Sequence, residues 1–124
     1  MRKVLIFFLF FIFLNPLNLI AKPSVIKIVD FRVHALYRAT KLTWKIKGDL
    51  KNPVPLQIMR ADTFAEGPYK EVEVITLIPG KNSYEYIDKS LGTEATYHYK
   101  LVLKETGESF GPLSTRPYFS PPAT

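Results

Sequence analysis

The sequence contains no cysteine, and this absence excludes several classes of protein at once. Without thiols the chain cannot be a disulfide-stabilised scaffold or a cysteine-ligated zinc domain, and it has no thiol nucleophile. With two histidines it also offers few of the side chains that most often bind metals or transfer protons. The 124 residues suffice for one domain, so one small core and its surface carry whatever function the chain has.

The chain also lacks any stretch with helical periodicity. Apolar and polar residues alternate instead over short runs, which is the pattern of half-buried strands. In the clearest run Leu42, Trp44 and Ile46 share one face, and the residues between them are polar or charged. The runs cover residues 30–35, 41–46, 56–59, 71–74, 84–87, 97–103 and 110–119.

Turn residues separate these runs. Pro79 and Gly80 suit the two central positions of a type II turn, and residues 104–108 suit a hairpin loop. We therefore predict an all-β fold, a seven-stranded antiparallel β-sandwich over residues 22–115, followed by a Pro-rich C-terminal tail at residues 116–124.

The N-terminal segment does not belong to this pattern. A basic start is followed by an unbroken apolar run from Val4 to Leu14, which ends before Pro16. This order is typical of a secretory signal peptide, so we predict that residues 1–21 are cleaved after Ala21 and that the protein is exported, periplasmic or secreted. The alternative is a retained membrane anchor, although a spanning helix needs about 20 apolar residues. Membrane contact is expected only in that alternative.

Three motifs resemble those of fibronectin type III domains, which are immunoglobulin-like sandwiches. Leu42-Thr43-Trp44 resembles the Leu-x-Trp of that family's second strand. Residues 56–60, Leu-Gln-Ile-Met-Arg, are similar to its third strand, where Tyr-x-Val-Tyr-Arg is common. Residues 91–97, which run from Leu to Tyr, resemble the corner before the sixth strand. Together the motifs extend the resemblance over residues 29–113, which is most of the chain that follows residue 21.

The resemblance implies a fold and leaves the function open. It implies that Trp44 lies at the centre of the core and that the Tyr97 hydroxyl bonds back to the chain near Leu91. Three features depart from the family: Thr93 and Glu94 replace the Pro-Gly of the corner, Met59 stands where Tyr is common, and the hairpin loop has no Arg-Gly-Asp. Integrin-type adhesion is therefore not implied.

No set of side chains for catalysis or cofactor binding can be assembled from the sequence. His34 and His98 are far apart in the chain and are predicted to point outward from opposite sheets, so they cannot share a metal. Glu71 and Glu73 would share one wet strand face, where carboxylates keep ordinary acidity. The chain has neither a Gly-x-Ser-x-Gly elbow nor a glycine-rich phosphate loop. We therefore expect no enzyme activity, no metal and no cofactor.

The net charge of +6 raises the question of nucleic-acid binding. Basic residues are densest between Arg38 and Lys51, but the aromatic residue there, Trp44, alternates to the face opposite Lys41 and Lys45. Binding of single strands needs aromatic and basic groups on the same face. We expect no nucleic-acid partner and interpret the basic residues as a solvated face or as a weak attraction to an anionic envelope surface.

The candidate partner-binding surface lies on one predicted sheet face and in the tail. Its residues are Met59, His98, Lys100, Val102, Tyr118 and Phe119. Met59 and Val102 are apolar but alternate away from the core, so either a partner covers them or the chain's own tail does. We predict a non-catalytic binding or scaffolding module that contacts another envelope or extracellular protein. The alternative is a carbohydrate- or cell-wall-binding module, which would need two or three exposed aromatic rings in one plane.

Overall fold

The alternating runs form seven antiparallel strands. The computed structural model describes residues 26–120, which contain no helix. The strands are β1 (Ile26–Leu36), β2 (Ala39–Gly48), β3 (Val54–Asp62), β4 (Lys70–Leu77), β5 (Ser83–Asp88), β6 (Tyr97–Leu103) and β7 (Ser109–Thr115). They pair in two sheets, in the orders β1-β2-β5 and β4-β3-β6-β7. The predicted all-β fold with seven strands is confirmed.

The predicted signal peptide lies outside the described residues, as do the last four residues of the tail. Within residues 26–120, no helix is long and apolar enough to cross a membrane.

The two sheets enclose one apolar core. Leu42, Trp44 and Ile46 of β2 are buried in it and face Ile58 of β3 and Leu101 of β6. This is the face that the alternation in β2 predicts, because successive side chains of a strand point to opposite sides. Trp44 is 1% exposed, as the resemblance implies, and its ring stacks on that of Tyr84, with centroids 5.8 Å apart and planes 7° apart.

A β-bulge extends β1 beyond the predicted run. The pairing of β1 with β2 shifts between Val29 and Arg32, and Asp30 adopts a φ of 53° at the shift. A bulge adds one residue to one strand and so reverses the parity of its side chains. Ile28 before the bulge and Phe31 after it therefore both pack against the core, although they are an odd number of residues apart.

Because of a second bulge, the residues of β4 on the outer face differ from those predicted. Ile58 pairs with Glu73, but Met59 pairs with Glu71, so the register shifts by one residue of β4. Glu71 and Glu73 therefore do not share the outer face. The residue paired with the outward Gln57 is Val74, which is half-buried and is not among the core residues.

The predicted turn and corner are present. The Lys81 N–H donates to the Ile78 carbonyl over 3.2 Å, with Pro79 and Gly80 between them and Gly80 at a φ of 87°. The positive φ at the second central residue is the mark of a type II turn. The Tyr97 hydroxyl donates over 2.6 Å to the carbonyl of Thr93, two residues past Leu91. It thereby ties the loop before β6 to the strand.

Candidate functional site

Three of the predicted site residues lie together on the outer face of the four-stranded sheet. Val102 of β6 pairs with Gln57 of β3, and Lys100 pairs with Met59. On the other side of β3, Gln57 pairs with Val74. We call these five residues the outer patch: Gln57, Met59, Val74, Lys100 and Val102. All are half-buried, because neighbouring side chains on the same face shield one another.

Polar contacts at the border of the outer patch hold its charged groups in place. The Gln57 amide nitrogen donates to a Glu71 carboxylate oxygen over 2.8 Å. The Lys100 ammonium lies 4.2 Å from the centre of the Tyr69 ring, a cation–π geometry. The apolar part of the patch, Met59 and the two valines, therefore lies between a carboxylate and a lysine that are both already engaged.

The predicted exposure of His98 is wrong. The side chain points to the outer face, as alternation requires, but it is only 7% exposed. Its Nε2 lies 3.0 Å from the Thr63 carbonyl and its Nδ1 lies 2.6 Å from the Ser114 hydroxyl. A carbonyl can only accept, so Nε2 carries a proton and donates it. The loop after β3 and strand β7 cover His98, which therefore joins the two segments instead of lining a binding surface.

The tail residues lie away from the outer patch. Tyr118 forms an isolated parallel bridge with Tyr37: the Arg38 N–H donates to the Tyr118 carbonyl over 2.8 Å, and the Tyr118 N–H donates to Leu36 over 3.3 Å. The Arg38 guanidinium lies 4.9 Å from the centre of the Phe119 ring. The described part of the tail, up to Ser120, therefore packs beside the end of β1 and not over Met59 and Val102.

The structure also contains a buried charged cluster between the sheets that the sequence analysis missed. Arg60 at the end of β3 donates from Nη1 to Asp88 over 2.8 Å and to Ser90 over 2.9 Å, and from Nε to Asp62 over 2.9 Å. The Tyr99 hydroxyl donates to the same Asp88 oxygen over 2.8 Å. Asp88 belongs to the three-stranded sheet and Arg60 to the other, so this ion pair joins the sheets at one end of the core.

In this cluster, hydrogen bonds shift the pKa values of Asp88 and Arg60 in the direction opposite to burial, and the hydrogen bonds have the larger effect. Burial alone would raise the pKa of Asp88, but hydrogen bonds from Ser90, Arg60 and Tyr99 hold that pKa below its ordinary value. Burial alone would lower the pKa of Arg60, but its bonds to Asp88 and Asp62 raise it. Burial raises the pKa of Tyr99 far above that of a free phenol, and the neighbouring Asp88 charge adds to the shift. Both charged partners are therefore ionised over the physiological pH range.

The sequence does carry a signal for this cluster. Leu56, Ile58 and Arg60 have the same parity in β3, and Tyr84 and Asp88 have the same parity in β5. A charged residue at an inward position of each of two facing strands predicts a buried pair, because a lone buried charge is too costly.

The cluster contributes to structure, and its geometry does not suit catalysis. Asp88 is fully buried, so no substrate reaches its carboxylate in this conformation. Among residues 26–120, no three side chains of the metal-binding types lie close enough to share an ion. The expectations of no catalytic residue, no metal and no cofactor remain predictions. The outer patch is the candidate site that the geometry favours.

Comparison with known proteins finds similarity of fold only. No protein-family model matches the chain, and no curated protein sequence matches it. A solved structure with a similar fold is the sensor domain of the anti-sigma factor RsgI4 from Pseudobacteroides cellulosolvens, with a TM-score of 0.60 and 10% identity. The match covers 80% of this chain and all of that domain.

A second match is weaker. It is the alkylpurine DNA glycosylase AlkC of Pseudomonas fluorescens, solved bound to DNA containing an abasic site analog, with a TM-score of 0.45 and 12% identity. The match covers 77% of this chain but only 31% of that protein, and its score is too low to support an argument.

Proposed function

We propose that this protein is an exported, non-catalytic binding module that contacts another envelope or extracellular protein through the outer patch. The observation that carries the proposal is the set of apolar side chains on a sheet face that points away from the core: Met59, Val74 and Val102. Within residues 26–120, the loop before β4 contacts this face through the Tyr69 ring at Lys100, and the tail packs elsewhere, beside the end of β1.

The fold is part of the proposal, as a fibronectin type III-like sandwich. Three observations support it: the sheet orders β1-β2-β5 and β4-β3-β6-β7, the core position of Trp44, and the bond from Tyr97 back to Thr93. The likeness to the RsgI4 sensor domain supports the two-sheet fold and is compatible with a binding role.

The outer patch has the layout of a small protein interface. Such interfaces place apolar and adaptable side chains at the centre and polar groups at the rim. Here the flexible thioether of Met59 is central, and Glu71 and Lys100 are at the rim. The rim therefore carries one positive charge, from Lys100, and one negative charge, from Glu71, since contacts with the neutral Tyr69 ring and Gln57 amide leave both charges in place. The partner that fits is a protein with an apolar centre, an acidic residue opposite Lys100 and a basic residue opposite Glu71.

The alternative of a carbohydrate-binding module with a stacking platform has less support. Tyr37 and Tyr118 are exposed and their ring centres are 6.0 Å apart, but their planes are tilted by 49°. A flat sugar ring cannot lie on both rings at once.

A double substitution tests the proposed site. Met59→Ser with Val102→Ser should leave the circular dichroism spectrum unchanged and reduce cross-linked recovery of a partner from envelope extract by about tenfold, since central apolar residues dominate interface energy. Ile78→Ser is the matched control, because Ile78 is apolar and 43% exposed but lies outside the outer patch. Equal recovery with all three proteins would contradict the assignment.

Export is tested separately. If residues 1–21 are a cleaved signal peptide, the intact mass of protein from the envelope fraction corresponds to a chain that begins at Lys22. A mass that retains those residues would favour the membrane anchor.

A further inference from the structure

The outer face of the three-stranded sheet is strongly basic. In the pairing of β1 with β2, Lys27 lies opposite Lys47, Val29 opposite Lys45, and Arg32 opposite Thr43. Residues paired in this way point to the same side of a sheet, so the cationic groups form one field. We call these residues the basic face: Lys27, Arg32, Lys41, Lys45 and Lys47.

The cations of this face are not held in ion pairs, although the carboxylates of Asp30 and Glu85 lie on the same side of the sheet. Within residues 26–120, none of its lysines or its arginine forms an ion pair, although Lys51, Arg60 and Arg116 elsewhere do. Like charges directly opposite each other destabilise a sheet, and Lys27 and Lys47 are such a pair. The basic face therefore costs folding stability, which favours a role in binding an anion.

The face is also concave. An open depression of about 610 Å³ lies on this sheet, and Arg32, His34, Lys45 and Lys81 are among the residues that line it. The bulge at Asp30 bends β1, because an extra residue in one strand increases its local bend and twist. The Lys81 ammonium, which also lines the depression, lies 5.0 Å from the centre of the Tyr84 ring.

The polar groups in the depression distinguish among anionic ligands. Thr43, Ser83, Asp30 and Glu85 line it together with the cations, so hydroxyl and carboxylate acceptors stand beside basic donors. The aromatic residues that also line it belong to the buried core, and an interface with a protein would need exposed apolar anchors. A concave site of this size suits a segment of a chain better than the flat surface of a bilayer.

We propose that this depression binds a segment of an acidic polysaccharide. Its carboxylate or other anionic groups pair with Arg32 and Lys45, and its hydroxyls bond to Thr43, Ser83 and Glu85. The proposal uses the sheet opposite the outer patch and goes beyond the proposed protein contact.

Charge-matched variants test the proposal. The dissociation constants of polygalacturonate, alginate and dextran sulfate are measured by titration calorimetry at low salt, with neutral dextran as the reference. Arg32→Gln with Lys45→Gln removes two charges from the depression and should weaken binding by about tenfold, because a site with two fewer cations loses local attraction. Lys89→Gln with Lys104→Gln removes the same charge from exposed positions outside the basic face and should keep affinity within about twofold.

Several outcomes would overturn the proposal. Equal losses in the two double variants would indicate attraction to net charge alone. Equally tight binding of poly-glutamate, or of phosphatidylglycerol vesicles, would assign the face to an acidic protein or to a membrane. No binding to any of the three acidic polysaccharides would leave no such site. The Met59→Ser, Val102→Ser variant should bind polysaccharide normally, so the two proposals can fail independently.

Discussion

Single side chains determine how firmly the two sheets are joined, and Trp44 is the largest of the fully buried ones. Trp44→Ala should lower the free energy of unfolding by about 3–5 kcal/mol, because it removes a large ring from a closed core. Trp44→Phe should cost less, since stacking on Tyr84 can persist and Nε1 has no hydrogen-bond partner within residues 26–120. Urea unfolding measures both values. A midpoint for Trp44→Ala within error of the wild type would contradict the central role.

Asp88 predicts how the protein responds to acid. Its folded pKa is lower than its unfolded pKa, so its stabilising contribution is present above about pH 4 and is lost as the pH falls through the folded pKa. Asp88→Asn should cost about 3 kcal/mol at pH 7, because Arg60 keeps its charge in a buried site. The variant should also lose less stability than the wild type between pH 5 and about pH 2.

Asp49→Asn is the control for Asp88, because Asp49 pairs with Lys51 at a side chain that is 77% exposed. It should leave the urea midpoint at pH 7 unchanged. If Asp88→Asn loses as much stability in acid as the wild type does, the buried ion pair is not the source of the acid sensitivity.

Residue positions were predictable where the alternation is unbroken. Leu42, Trp44 and Ile46 lie as predicted because a period of two fixes their face. His98 could not be predicted as buried, since its cover comes from Thr63 and Ser114, far away in the sequence. Parity gives the direction of a side chain within its strand, whereas burial also depends on what packs over it.

Bulges explain what the sequence analysis missed in whole strands. The residues before Asp30 were not predicted as strand, because the bulge in β1 reverses their parity relative to Phe31 and Val33. In β4 the same kind of shift places Val74 in the outer patch in place of Glu73. A one-residue irregularity moves all the side chains on one side of it to the other face, and a simple alternation does not reveal it.

The irregular strand β7 provides a prediction about backbone packing. Gly111 lies where the pairing with β6 shifts, and its φ is 101°. A Cβ at this position would lie 2.9 Å from the Tyr99 carbonyl oxygen and 3.1 Å from the Phe31 ring of the opposite sheet. Gly111→Ala should therefore destabilise the protein by about 1–3 kcal/mol from the backbone conformation and by a further amount from the clash.

Gly107→Ala is the matched control for Gly111. Gly107 also has a positive φ, of 80°, but a Cβ there would meet no atom within 4 Å. Both variants carry the cost of placing alanine at a positive φ, so the difference between their urea midpoints measures the cost of the steric clash at Gly111. Equal midpoints would show that β7 can move away from β6 at this site without loss.

For the protein as a whole, the two outer faces differ in chemistry. The four-stranded sheet presents Met59, Val74 and Val102 with polar groups around them, while the three-stranded sheet presents four lysines and one arginine among other polar groups. The alternation of side chains does not reveal the order of the strands, because pairing between strands far apart in sequence leaves no local pattern. The separation of the two surfaces follows from that order.

This separation predicts that the two proposed ligands bind at the same time. The outer patch and the basic face share no residue and lie on opposite sides of two stacked sheets, whose backbones are about 10 Å apart in such packings. Saturation with polygalacturonate should therefore leave recovery of the partner protein unchanged in the wild type and in Arg32→Gln with Lys45→Gln. Competition between polygalacturonate and the partner protein would mean that one ligand extends around the edge of the sandwich or that both use the same face. Recovery of the partner by Met59→Ser with Val102→Ser would then identify which face is shared.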